Sequence, residues 1–176
     1  VDMSTDNDII YLDAGGTVKN LIVRTHNTTF SSAVISAKTS FGGNYMVNGG
    51  DISEVYLHGT SGEGTALHFE ADTADGLTFV DVDAFVRGFG KAIDLFASDS
   101  GGFVNGNRFS GTFQRGETII HTRGSGVVAG NEFNISTQPG SARGGVDSSE
   151  LWNLEAGRSN VLTGTQWDAS KYTNTG

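Results

Sequence analysis

Short apolar strings separated by turns rich in Gly, Ser, Asn and Asp occupy most of the chain. No stretch of about twelve residues keeps the apolar spacing of a helix, so the pattern predicts β-strands. One set of strings recurs at intervals of 24 to 33 residues. The second positions of these strings are Ile10, Val34, Leu67, Ile93, Ile120 and Trp152.

A second set of strings lies between the members of the first, at intervals of 23 to 34 residues. Each repeat unit therefore contains two short strands. Such a unit has no room for the helix of a leucine-rich, ankyrin or TPR repeat, and it is shorter than a propeller blade of about 40 residues. The spacing predicts an all-β fold, a single-stranded right-handed parallel β-helix of about six coils.

Alternation within each string of the second set sends its first and third residues inward. Apolar residues would then stack on apolar residues from coil to coil. Three asparagines, Asn107, Asn131 and Asn160, are predicted to form an inward ladder of side-chain amides that satisfies buried polar groups. The predicted inward pairs are Leu21/Val23, Val55/Leu57, Ala84/Val86, Asn107/Phe109, Asn131/Phe133 and Asn160/Leu162.

The repeats assign residues 1–176 to one domain, with coils over about 8–165 and a C-terminal cap over about 166–176. We expect this tail to cover the open end of the last coil, because a bare sheet edge invites aggregation. The longest turn, 134–150, contains Pro139, the only proline of the chain. The start at Val1 without a methionine predicts either a removed leader or a piece of a longer chain.

Three segments carry a family resemblance: AFVRGFGKAIDL at 84–95, GNRFSG at 106–111 and GNEF at 130–133. They resemble coils of the pectin-lyase-like right-handed parallel β-helix superfamily, most closely its viral tailspike and fibre proteins. That family also includes pectate lyases and polygalacturonases, but the catalytic motifs of these enzymes do not appear here, so no catalytic residue is carried over. Since viral β-helices are commonly trimeric, the resemblance implies a homo-oligomer, with a trimer favoured.

Composition narrows the range of partners. Twenty acidic residues against eleven basic ones give a net charge of −9, and no clustered basic footprint predicts nucleic-acid binding. No apolar run approaches the roughly 18 residues of a membrane span, and the absence of cysteine excludes disulfides and thiolate zinc sites. Abundant Asp with little Lys suits either a halophilic surface or an ordinary acidic extracellular protein.

Candidate chemistry lies on the outward face of the first strand set. If the register holds, His68, Asp94 and His121 sit on successive coils roughly 5 Å apart. An Asp between two His could raise their pKa values and supply a proton-transfer pair, and it could equally be a solvated polar ladder without catalytic use. We expect no metal and no cofactor. The outward positions are Tyr11, Ile35, His68, Asp94, His121 and Asn153.

The outward face of the second strand set carries a continuous apolar stripe, Ile22, Tyr56 and Phe85. It is followed by Arg108 and Glu132, which we expect to form an exposed ion pair of little energetic weight. Soluble monomers rarely expose an apolar stripe without using it. The stripe is predicted either to pack under a loop of its own chain or to form a subunit interface.

These observations favour a non-enzymatic structural or host-recognition module on a virion surface, of the fibre, spike or turret type. Its partners would be other virion subunits and a host glycan or protein, outside the cell. Two alternatives stay open: a small polysaccharide lyase or hydrolase centred on His68, Asp94 and His121, and a secreted or cell-surface adhesin module.

Overall fold

The computed structural model describes residues 7–12, 15–26, 29–39, 47–60, 62–72, 76–114, 116–138, 150–154, 160–163 and 172–174. The regular structure of these segments consists of β-strands. None of them forms a helix with the length and hydropathy needed to cross a bilayer. The strands are β1 Ile10–Leu12, β2 Thr17–Thr25, β3 Ala33–Lys38, β4 Val47–Gly59, β5 Thr65–Ala71, β6 Gly76–Arg87, β7 Lys91–Ala97, β8 Phe103–Asn105, β9 Arg108–Gln114, β10 Thr118–Gly124, β11 Val127–Ala129, β12 Glu132–Gln138, β13 Glu150–Leu154, β14 Val161–Thr163 and β15 Tyr172–Asn174.

The strands form two sheets, and the strand pairs of the described segments are parallel. The first sheet has the order β1-β3-β5-β7-β10-β13-β15. In the second sheet β2 pairs with β4 and β4 with β6, and the long β6 then pairs with both β8 and β9 of the following turn. Neighbours in each sheet come from successive turns of the chain, so the predicted parallel β-helix is confirmed as a parallel β-solenoid.

The solenoid has about four full turns, fewer than the six coils expected. Four turns have a strand of six or more residues in both sheets, namely β3–β4, β5–β6, β7–β9 and β10–β12. The turns at the two ends have shorter strands, such as β1 and β14 with three residues each. In the tail, β15 pairs in parallel with β13 and extends the first sheet. Residues 139–149 of the predicted long turn, with Pro139, lie outside the described residues.

The register of the first sheet differs from the prediction at one strand. Ile10 aligns with Ile35 instead of Val34, and Ile35 aligns with Leu67. Ile35 therefore stands in the inward column of Ile10 and Leu67, so its predicted outward position is wrong. Ser36 takes that position in the column instead, because it is the residue aligned with His68, although Ser36 is itself fully buried.

In the second sheet the predicted columns are confirmed within β2, β4 and β6 and within β9, β12 and β14, but not between β6 and β9. Leu21, Val55 and Ala84 are aligned, as predicted. Phe109, however, aligns with Val82 and not with Val86. This four-residue shift divides the predicted outward column in two, because Arg108 pairs with Asp81 and not with Phe85.

The predicted asparagine ladder is present, with Asn107 and Asn131 fully buried and Asn160 partly buried. Asn107 Nδ2 donates to Asn131 Oδ1 at 2.9 Å, and Asn131 Nδ2 donates to Asn160 Oδ1 at 3.0 Å. The same two oxygens also accept the backbone N–H groups of Asn107 and Asn131. Asn107 and Asn131 each follow a turn between two strands, and the glycines before them, Gly106 and Gly130, have positive φ values of 66° and 64°, where a side chain would be strained.

Phenylalanine rings fill the interior between the two sheets. The rings of Phe109 and Phe133 stack with centroids 5.0 Å apart, and Phe69 of the first sheet packs against Phe109 at 5.4 Å. All three side chains are buried. The stacked interior holds the turns in register, so outward side chains at equivalent positions form straight columns.

Candidate functional site

The strand register brings His68, Asp94 and His121 together as predicted. They lie at aligned positions of the neighbouring strands β5, β7 and β10. Their column continues to Ser36 on one side and to the backbone position of Asn153 on the other. Repeat spacing alone therefore identified three neighbours across three turns.

The column is buried, so the solvated ladder considered from the sequence is wrong in that respect. His68, Asp94 and His121 are 8%, 2% and 6% exposed. A charge removed from water at this depth needs opposite charges and hydrogen bonds around it. The structure supplies both.

Asp94 is the centre of this charge cluster, which also contains His68, His121, Arg123 and Glu70. Its Oδ2 lies 2.9 Å from His68 Nδ1 and 2.9 Å from Arg123 Nη2. Its Oδ1 lies 2.8 Å from His121 Nδ1 and 3.0 Å from Arg123 Nε. Each carboxylate oxygen thus accepts one imidazole N–H and one guanidinium N–H. The paired bonds from Arg123 are the bidentate geometry that makes arginine a strong partner for a carboxylate.

His68 is held between two carboxylates. Its Nδ1 donates to Asp94, and its Nε2 lies 3.0 Å from Glu70 Oε2. Lys38 Nζ is 3.8 Å from the same oxygen of Glu70 and 3.0 Å from Asp8 Oδ2. Both ring nitrogens of His68 face carboxylate oxygens, an arrangement that favours the doubly protonated, positively charged ring.

These contacts shift the acid–base equilibria of the cluster in a consistent direction. Burial alone would raise the pKa of Asp94, but the hydrogen bonds from His121, His68 and Arg123 outweigh it and hold the pKa far below its usual range. Burial lowers the pKa of His68, whereas its bonds to Asp94 and Glu70 raise it by more, so the net shift is upward. The bond from His68 lowers the pKa of Glu70. The cluster therefore favours the ionised forms of all three groups.

This arrangement limits the chemistry of the predicted catalytic trio. Asp94 cannot exchange a proton near neutral pH, and both nitrogens of His68 are engaged. His121 also lines an open cleft of about 550 Å³, together with Lys91, Glu117 and Glu63. No group of three or more His, Asp or Glu side chains suited to hold a metal ion occurs among the described residues.

The predicted apolar stripe lies on the outer face of the second sheet, with its three members aligned. Ile22 pairs with Tyr56 and Tyr56 with Phe85 across β2, β4 and β6. The rings of Tyr56 and Phe85 stack with centroids 4.7 Å apart and an interplanar angle of 2°. Ile22 remains 60% exposed at the end of this stack. The stripe is thus an ordered, partly exposed apolar surface.

Arg108 and Glu132 are adjacent and exposed, as expected. Arg108 Nε lies 3.7 Å from Glu132 Oε2, and its Nη1 lies 4.0 Å from Asp81 Oδ1. They border an open cleft of about 290 Å³ whose lining also includes Asp51 and Asp83. At these distances and exposures the ion pairs contribute little to stability.

Sequence reasoning missed Arg123 and Glu70, which complete the charge cluster. Each stands two residues after a member of the predicted column, His121 and His68 respectively, and therefore faces the same side of its strand. Arg123 also packs its guanidinium over the Phe96 ring at 3.8 Å. The period-two spacing within each strand was the signal that would have found them.

No family model, curated protein or solved structure matches the chain in the comparisons.

Proposed function

We propose that the chain is a non-enzymatic structural and recognition module of an assembled surface outside the cell, with a virion fibre, spike or turret as its specific setting. One observation carries the proposal: the outer face of the second sheet exposes an aligned apolar stripe, Ile22, Tyr56 and Phe85. Such a surface on a rigid solenoid suits side-by-side packing of identical copies. We propose a homo-oligomer, with three copies favoured by the sequence resemblance.

The charge cluster supports the non-enzymatic part of this proposal. The oxygens of Asp94 are occupied by His68, His121 and Arg123, and the second nitrogen of His68 is occupied by Glu70. Groups used in this way stabilise the stack of turns and are poorly placed to exchange protons with a substrate. The cluster acts as a buried clamp across β5, β7 and β10.

Self-association is expected to depend on Ile22. The purified chain should be an oligomer by multi-angle light scattering, and Ile22→Lys should raise the dissociation constant roughly tenfold or more. Burial of an isoleucine side chain contributes roughly 1.5–3 kcal/mol, and a buried lysine would add a desolvation cost. Val161→Lys is the matched control, because Val161 is similarly exposed on the same sheet but outside the stripe. A wild-type chain that stays monomeric over a wide concentration range would contradict the proposal.

A second candidate, a polysaccharide lyase or hydrolase, rests on the cleft beside His121. Asp94 orients the His121 imidazole through Nδ1, and the cleft also carries Lys91 and Glu117. An Asp-oriented histidine is a common general base, and removing one typically costs a factor of about 10²–10⁴ in rate.

Incubation with acidic and neutral polysaccharides separates the two functions. The structural proposal expects no unsaturated product and no new reducing ends from the wild-type chain. It also expects His121→Ala to leave glycan binding unchanged. Product release that His121→Ala suppresses, while circular dichroism shows an intact fold, would instead establish the enzymatic candidate.

A further inference from the structure

The apolar stripe is bordered by opposite charges on its two sides. On β6 the outward residues run Asp83, Phe85, Arg87, so the aromatic ring stands between an acid and a base. We infer that copies of the chain pack side by side in the same direction, with the acidic border of one copy against the basic border of the next. This inference rests on the proposed self-association and specifies its geometry.

The spacing on β6 makes the two borders equidistant from the stripe. Successive outward residues of a strand are two positions apart, which is roughly 6.6 Å at about 3.3 Å per residue. Asp83 and Arg87 therefore stand at equal distances on either side of Phe85. The intervening Ala84 and Val86 are buried beneath them, which confirms that all three neighbours face outward.

The same order is repeated on the preceding turn, whereas on β2 the neutral Asn20 stands two residues before Ile22. On β4, exposed Glu54 and half-buried His58 lie on opposite sides of Tyr56. The basic border is a column, because Arg24 aligns with His58 and His58 with Arg87. The acidic border consists of Glu54 and Asp83, at a point where the register shifts by one residue between β4 and β6.

The charged residues that flank Phe85, Asp83 and Arg87, form no ion pairs among the described residues. Asp83 is exposed and makes no ion pair in the described part of the chain. The nearby cations are engaged elsewhere, since Lys19 pairs with Asp51 and Arg108 with Asp81 and Glu132. On the other border, Arg87 Nε has no hydrogen-bond partner among the described residues. Arg87 itself is half-buried and, like Asp83, forms no ion pair within the segments that the structure describes.

Symmetry then decides the direction of packing. A rotation axis parallel to the solenoid axis exchanges the two borders, so Asp83 of one copy meets Arg87 of the next in a closed ring of two or three. Packing in opposite directions would place acid against acid and base against base, which is unfavourable. The second copy of this chain is therefore the occupant that the charge order fits.

Charge reversal tests this geometry. Asp83→Arg and Arg87→Asp should each raise the dissociation constant of the oligomer roughly tenfold or more, because each places like charges together. The double variant Asp83→Arg/Arg87→Asp should recover wild-type association, since it only exchanges the two borders. Light scattering at low and moderate salt measures the dissociation constants of the wild type, the two single variants and the double variant. The control is Glu63→Arg, a charge reversal at an exposed residue outside this face.

The outcomes separate this inference from the function on which it rests. An oligomer that tolerates both single reversals would overturn the same-direction packing and leave self-association standing. A double variant no better than the singles, with an intact fold by circular dichroism, would overturn it as well. A monomeric wild-type chain would overturn the proposed function itself.

Discussion

Replacing Asp94 by Asn is expected to lower the free energy of unfolding by about 3–5 kcal/mol at pH 7. The substitution keeps the size of the side chain but removes the negative charge that faces His68, His121 and Arg123. Positive charge would then remain buried without its counter-ion. Urea denaturation at pH 7 measures the effect as a lower midpoint with an unchanged slope.

The pH dependence gives this prediction a second signature. Because the folded-state pKa of Asp94 is depressed, its contribution to stability is present above the unfolded-state pKa of about 4 and is lost as the pH falls below that value. The gap between wild type and Asp94→Asn should therefore narrow from pH 5 towards pH 3. Glu132→Gln, which alters an exposed pair, should cost less than about 1 kcal/mol. An equally small loss for Asp94→Asn would show that the cluster does not clamp the stack.

Replacing Asn131 by Ala is expected to cost about 2–5 kcal/mol, since it leaves several buried polar groups without partners. Asn131 Oδ1 accepts the backbone N–H and the side-chain amide of Asn107, and its Nδ2 donates to Val104 O and Asn160 Oδ1. All of these bonds cross between turns of the solenoid. Denaturant unfolding at neutral pH is the measurement.

Asn134 provides the matched comparison, because it is an exposed asparagine on the same strand segment as the ladder's neighbour Phe133. Asn134→Ala should change stability by no more than about 0.5 kcal/mol. Asn131→Asp keeps an acceptor for Asn107 but loses the donor to Val104, so it should also be destabilising. Equal losses in the free energy of unfolding for Asn131→Ala and Asn134→Ala would show that the ladder does not stabilise the fold.

The sequence predicted the charge column correctly where polar residues marked the register. His68 and Asp94 each stand between two apolar residues and His121 follows two isoleucines, so a one-residue error would have pointed these polar side chains into the apolar interior. The prediction failed at β3, where Val34 and Ile35 are adjacent apolar residues and both are buried. A continuous apolar run carries no alternation, so it cannot specify which residue faces outward.

The four-residue shift between β6 and β9 has a related cause. On β6, Val82, Ala84 and Val86 are all inward and apolar, so Phe109 of β9 finds an equally acceptable partner at several positions. Its partner is Val82, since the Asn107 side chain accepts the backbone N–H of Val80 and anchors the strand two residues earlier. That contact joins residues 27 apart in sequence and is invisible to a pattern within one string.

The amino-acid sequence by itself determined that the chain forms two repeating sets of β-strands, that they stack in parallel, and that asparagines form an inward ladder. Those features follow from local alternation and repeat length, which each segment expresses independently. Only the tertiary structure decided that the charged column is buried and that Arg123 and Glu70 close around it. Burial and ion pairing depend on groups from several turns meeting at one place, and no single repeat contains that information.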